Sequence, residues 1–275
     1  MPFFGFGYSA SSTITQSSIS AGGTDSDAQA FIDAAGITDS TQQSAINTLV
    51  TDLKTANIWT KMKAVYPFVG ASSTSHKYNL VNPVDSDAAF RLSFSTGWTH
   101  SSTGATPNGS SAYADTFLNP TTSLSSSNNH ASIYNRTNTA GTFSDLGSYT
   151  VSGLTYYFIF RTRQTGDTFL IGNGNSSFPT AVNTDSRGFY LMSKTSASNT
   201  SGFKNNSKVI NEGVSGTGIS NHNVFIGAIN ANGTAAQYTN REISFASLGN
   251  GLTDTEASDF NTAVTTFQTT LSRNV

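Results

Sequence analysis

The side chains able to do chemistry in this chain are few and far apart. Glu212, Glu242 and Glu256 are its only glutamates. Glycosidic hydrolysis needs two carboxyl groups held roughly 5–10 Å apart, and no Glu-x-Asp-x-Glu string sets such a pair on one strand. Glu256 already has a local role, because Thr253-Asp254-Thr255-Glu256 reads as a capping box in which the two end residues satisfy each other's backbone N–H groups. The histidines His76, His100, His130 and His222 include no H-E-x-x-H and no i, i+4 pair, so each reads as a packing or loop residue. Asp85 and Asp87 alternate as in a calcium loop, yet the remaining oxygens of that loop are missing, which favours a turn or helix cap. No phosphate loop, dinucleotide fingerprint or nucleophile elbow is present. The expectation is no catalytic residue, no metal and no cofactor: a protein that is not an enzyme.

Binding residues are easier to find. Trp98, His100, Tyr113 and Asp115 sit in a Gly/Ser/Asn-rich region, 95–129, that reads as loop. An aromatic ring can stack on a pyranose while Asn and Asp hold its hydroxyls, so these four are candidate glycan contacts. The same composition suits a solvated loop or a subunit contact. Charged residues make up 11% of the chain and the net charge is −2, which gives no basic face for nucleic acid. No run approaches 18 consecutive apolar residues, so membrane insertion is not expected. With no cysteine there is neither a disulfide framework nor a thiolate site, and the redox compartment is left open.

The elements that must position these residues centre on 58–70, IWTKMKAVYPFVG, the densest apolar run. Trp59, Met62, Tyr66 and Phe68 are expected in the core, together with Leu49, Phe260 and Phe267. Pro67 disfavours helix at Tyr66, so a helical turn from Trp59 should end there and pass into extended chain. Before this joint, Asp25 or Ser26 opens a helix that stops at Gly36, and Asp39 or Ser40 opens a second with Ala45, Ile46, Leu49, Val50 and Leu53 on one face. After it the period is two: 89–94, 131–134, 156–163, 168–171, 188–192, 203–210, 224–229 and 242–248 are strand candidates, with Asn205-Asn206 closing a hairpin. The chain returns to helix from Thr253, with Ala257, Phe260, Val264, Phe267 and Leu271 as an apolar stripe. The expected divisions are an arm at 1–24, a helical segment and apolar joint at 25–70, an antiparallel β-sandwich or jelly roll at 71–252, and a packed helix at 253–275. In the arm, Phe3, Phe4, Phe6 and Tyr8 alternate with glycines and cannot build a core of their own, so they are expected to dock on a partner. The opening MPFFGFGY has neither a cationic n-region nor a long apolar h-region, so no ordinary signal peptide is expected.

Two resemblances extend this reading. The hairpin FKNNSKVI at 203–210, the FIG at 225–227, the REISF at 241–245 and the LTDTE at 252–256 resemble the closing part of concanavalin A-like (laminin G-like) sandwich domains. The runs AFIDAAGIT at 30–38, 58–70, AAFR at 88–91, GWTHSSTG at 97–104, YADT at 113–116 and FASLGNGLT at 245–253 resemble a group of bacteriophage and prophage virion proteins of tail or surface-appendage type. Together these imply a virion structural protein assembled in the host cytoplasm: a capsid decoration, a head or tail fibre, or a tail module. Its partners would be other capsid or tail proteins, with the arm as anchor. The alternative is a glycan-binding module for host-surface recognition. Low charge and Thr/Asn/Gln-rich helix faces favour a homo-oligomer, and analogy with fibres and decorations favours a trimer.

Overall fold

Local signals shape the helical start of the protein. The structure, a computed structural model, describes Met1 and residues 23–175, 178–212 and 217–275. Phe3, Phe4, Phe6 and Tyr8 of the expected arm lie outside the described residues, as does the side chain of Glu212. Helix α1 (Ser26–Ala35) begins where the Asp25 carboxylate accepts from the Asp27 N–H, and it ends at Gly36, whose φ of 64° is left-handed. Helix α2 (Ser40–Thr55) is capped by Asp39. At its far end Asn57 turns left-handed (φ 58°), its N–H donates to Lys54 O, and the Ile58 N–H reaches back to Leu53 O at 2.8 Å. This Schellman closure swings Ile58 fully into the apolar layer and leaves Trp59 half-buried at its edge. The expectation that Trp59 anchors the core is corrected on that ground, whereas Met62, Tyr66, Phe68, Leu49, Phe260 and Phe267 are buried.

The helical turn expected to run toward Tyr66 lasts only from Trp59 to Lys61. Strand β1 (Met62–Tyr66) takes over because its backbone pairs antiparallel with the last strand of the fold, joining the apolar joint at 25–70 to the sandwich itself. A short helix, α3 (Ser73–His76), comes next. The strand expected at 89–94 is preceded by a 3-10 turn over Asp87–Ala89 closed by Phe90 at φ 58°, and 91–92 are irregular. The i, i+4 ion pair of Asp87 with Arg91 (2.8 Å) favours that turn, and only β2 (Ser93–Phe94) is extended. The region read as loop, 95–129, contains the hairpin β3 (Trp98–Ser101) and β4 (Gly104–Pro107), then β5 (Ala114–Asp115) and the one-turn α4 (Pro120–Ser123).

The larger strands are β6 (Asn129–Asn135), β7 (Leu146–Ser152), β8 (Leu154–Gln164) and β9 (Thr168–Gly174). They continue as β10 (Thr180–Val182), β11 (Gly188–Ser196), β12 (Asn199–Lys204) and β13 (Ser207–Glu212). Asn205 at φ 50° closes the β12–β13 hairpin. The candidate at 224–229 splits at Gly227 (φ 85°) into β14 (Phe225–Ile226) and β15 (Ile229–Ala231), followed by β16 (Thr234–Ala236) and β17 (Ile243–Gly249). Helix α5 (Asp254–Thr270) starts from the Thr253–Glu256 capping box, with both reciprocal bonds formed.

Among the described residues these strands make two sheets, one ordered β13-β12-β11-β6-β17-β4-β3 with β1 on β17, the other β10-β9-β8-β7-β14-β5-β2 with β15 and β16 attached. The fold is mainly β, an antiparallel sandwich with one parallel contact between β15 and β7. Three layers follow from side-chain alternation. Ala131, Ile133, Tyr190, Met192, Ala246 and Leu248 face the second sheet, while Tyr134, Phe189, Leu191 and Phe245 of the same strands face the helices. Phe260 of α5 meets the rings of Phe189 and Phe245 edge-on at 5.3 and 6.0 Å. Helix α5 lies beside α2, so the first sheet is covered on both faces. Asn261 and Gln268 of α5 are buried too, and the Gln268 amide donates to Ser244 O. No helix of the described chain is long and apolar enough to cross a membrane.

Candidate functional site

The four expected glycan residues are brought near one another, but mostly as packing. Trp98 and His100 share a face of β3 with their rings 6.3 Å apart, and the Trp98 indole N–H donates to Tyr113 O at 3.1 Å. A Cβ on Gly227 would fall 2.8 Å from the Trp98 ring, so that glycine is the seat on which the indole rests. Tyr113 stacks on Phe225 at 4.5 Å, which covers one face of its ring. Asp115 accepts from the Phe117 N–H (2.7 Å) and from the Asn223 amide (3.3 Å), and burial raises its pKa. Its carboxylate braces β5 against the neighbouring chain.

Several groups with acid–base potential are also committed. Glu242 accepts from Arg136 at 2.8 Å and from the Thr103 hydroxyl at 2.5 Å. Glu256 joins Lys61 across the base of α5. Asp85 bridges Lys77 and Arg91. Arg241 and Asp145, both with no exposed surface, pair at 2.7 Å, and the Asp145 carboxylate also accepts from the Thr162 N–H and hydroxyl and from the Asn135 amide. Arg273 is enclosed by the carbonyls of Pro67, Phe68 and Ser244 and by the Gln268 side chain, and burial pushes its pKa down to about 9. Among the described residues no group of three His, Asp or Glu side chains is arranged to hold a metal ion.

Two histidines that are 24 residues apart in sequence meet in space. His76 Nδ1 and His100 Nδ1 lie 2.9 Å apart, so one ring donates and the other accepts, which requires an unprotonated acceptor. His76 is buried against Phe68, and burial followed by the charge of His100 lowers its pKa to about 3. His130, also fully buried, contacts Asn250 O at 2.6 Å and the Ser247 hydroxyl at 3.0 Å, and burial takes its pKa to about 4. These histidines act as neutral core residues.

An open site lies elsewhere, on the outer face of the second sheet. The pleat of β8 sends Phe158 and Phe160 into the core and turns Tyr157, Ile159 and Arg161 outward. In register beside them stand Tyr149 opposite Tyr157, Gly147 and Gly172 on either side of Ile159, and Gly174 across from Tyr157. A hollow of about 420 Å³ lies over this face, lined by Tyr149, Tyr157, Ile159, Arg161, Leu170 and Phe178 among others. A Cβ at Gly172 would meet both Ile159 and the Phe178 ring at 2.8 Å, so its absence lets Phe178 lie down across the strand. Phe178 meets Tyr157 edge-on at 4.5 Å, and Tyr149 is 5.8 Å from Tyr157. At the end of the hollow Arg161 donates to Ser144 Oγ (3.2 Å), Gln164 Oε1 (3.1 Å) and Gln237 Oε1 (2.5 Å). Sequence reading placed a strand here but attached no role to its outward face. The signal was present as aromatic, aliphatic and arginine residues alternating at 157, 159 and 161.

No protein-family model matches the chain, and no curated protein matches its sequence. Similar solved structures include a mutant of Trypanosoma rangeli sialidase displaying trans-sialidase activity, with a TM-score of 0.54, 10% identity and coverage of 82% of this chain and 39% of that one. The K499G mutant of NanB sialidase from Streptococcus pneumoniae aligns with a TM-score of 0.39 and 14% identity over 48% of this chain and 23% of the other. The CBM40 of Ruminococcus gnavus IT-sialidase gives 0.37 and 15%, over 48% and 81%. The chain therefore spans well under half the length of the two sialidase chains. At 10% identity the likeness to the Trypanosoma protein is one of fold.

Proposed function

We propose that this chain is a non-enzymatic structural protein of a bacteriophage virion, a particle-surface component held by its N-terminal arm. The observation that carries the reading is that Glu242, Glu256, Asp145, Arg241, His76 and His130 are tied into ion pairs, a cap and buried networks that hold the layers together. Such a chain is built to persist as a rigid body rather than to turn over a substrate. The resemblance of 30–38, 58–70, 97–104 and 245–253 to virion proteins supplies the class. Deleting residues 1–22 should leave a folded protein, but one that no longer co-purifies with particles. Normal incorporation of the truncated protein would sink the anchoring role. The body is proposed to work as a homo-oligomer, with a trimer as the simplest form. Light scattering on the purified chain should read three times the 28.9 kDa chain mass, and a monomer mass at micromolar concentration would reject self-assembly.

A second reading, glycan binding for host-surface recognition, is favoured by one feature. The hollow on the outer face of the second sheet presents aromatic rings and polar donors in a concave site of the size small ligands use. In this reading the contacts pass from Trp98, His100, Tyr113 and Asp115 to Tyr149, Tyr157, Phe178 and Arg161.

A further inference from the structure

We propose that the outer hollow of the second sheet binds a pyranose bearing a carboxylate, with the sugar ring against Tyr157 and Tyr149 and the carboxylate on Arg161. This rests on the glycan-binding reading and names its ligand class.

The aromatic half of the site comes from register. Tyr149 and Tyr157 are directly opposed on β7 and β8, and Phe178 closes one side of the pair. Their rings are partly exposed, with Phe178 at 40%, and Val151 at the same rim at 53%. Partly exposed rings beside the apolar floor of Ile159, Leu170 and Ile229 suit the C–H face of a pyranose, which is apolar and flat enough to stack. A hollow of about 420 Å³ admits one or two sugar units.

The charged half comes from Arg161. A guanidinium has five N–H donors in a planar fork. Three are directed at Ser144, Gln164 and Gln237, all neutral, which leaves one hydrogen on each terminal nitrogen. The carboxylate of Asp145, which also influences Arg161, is held by Arg241, and among the described residues no carboxylate forms an ion pair with Arg161. Burial lowers the pKa of Arg161, the sign of a cation partly stripped of water, and the more distant charge of Asp145 offsets only part of that loss. An anionic ligand restores that balance, and the fork matches a carboxylate through two parallel bonds. A neutral sugar would use the rings and leave the charge unanswered.

The test uses the full chain and two probes of the same ring, methyl glucuronoside and its uronamide, which differ by the charge alone. Calorimetric or NMR titration should find the acid bound about tenfold more tightly than the amide, the scale of one charge-assisted hydrogen bond. Arg161→Gln should abolish the difference, and Tyr157→Ala should weaken both probes. Equal affinity for acid and amide overturns the carboxylate assignment and leaves glycan binding standing. A preference that survives Arg161→Gln overturns the role of Arg161. No saturation with either probe, or with neutral hexoses and N-acetylhexosamines, overturns both readings. Should Arg161→Gln fail to fold, the comparison of acid and amide on the unaltered protein decides alone.

Discussion

Replacing Arg241 by methionine should lower folding stability by about 3–5 kcal/mol, because it strands the buried Asp145 carboxylate without its counter-charge. The pair has no exposed surface on either side and is the meeting point of both sheets. Asp145 lies just before β7 and is held by Thr162 of β8 and Asn135 of β6, while Arg241 precedes β17 and donates to Thr139 O as well. The Phe143 ring lies 5.2 Å from the guanidinium and shields it from water. Methionine matches much of the volume, so the loss reads charge and hydrogen bonding rather than a cavity. Urea unfolding measures it, and a loss below about 1 kcal/mol would show that the carboxylate is relieved by protonation or by water. The double change Arg241→Met with Asp145→Leu should recover only part of the loss, since the Thr162 N–H stays buried without its partner.

Acid should destabilise the protein well before its carboxylates titrate. His76 and His130 have native pKa values of about 3 and about 4, against an ordinary value of 6.5 in the unfolded chain. Above pH 6.5 both are neutral in either state and pH has no leverage through them. Below it the unfolded chain takes up protons that the native state refuses, so stability falls as pH drops. Each histidine contributes a slope of about 1.4 kcal/mol per pH unit, continuing down to its native pKa. Nearby positive charge reinforces the sign, because His76 faces His100 and Arg273 and His130 faces Lys61, while the Asn250 carbonyl beside His130 opposes it in part. Unfolding free energies at pH 6 and pH 5 should differ by about 2–3 kcal/mol, and His76→Gln should remove roughly half of that slope. A flat profile across this interval would mean that the buried rings are protonated in the native state.

Much of the frame could be read locally. Asp25, Asp39 and Thr253 cap helices where their types and positions say they should, and the apolar stripe from Ala257 to Phe267 does face the core. Asn205 turns the β12–β13 hairpin with a positive φ that asparagine tolerates well. The misreadings have local causes. At 89–94 the alternation looked like a strand, but the short-range ion pairs of Arg91 with Asp85 and Asp87 stabilise a turn. In 95–129 the polar composition hid a hairpin whose edge is stitched to β17 by residues far along the chain, Ala105 to Ile243. Trp59 looked like the anchor because it is large, yet the Schellman turn at Asn57 turns Ile58 inward instead.

The sequence by itself determined the elements with short-range causes: caps, helix stripes, the Asn turn, and the alternation that commits the chain to a sandwich. Only the tertiary structure decided which groups meet. The 24 residues between His76 and His100 carry no sign that their Nδ1 atoms lie 2.9 Å apart. Nor does the chain announce that Gly147, Gly172 and Gly174 will flank Ile159 and Tyr157 in register. Read locally, a glycine in a strand signals a bulge or weakness, but aligned across neighbouring strands these three sit buried beside Ile159 and Tyr157, and Gly172 leaves room for the Phe178 ring to lie over the strand. Strand register is set by pairing between distant segments, and a shift of one residue would send Tyr157 and Arg161 to the opposite face. That is why the outward site could not be assigned before the sheet was assembled.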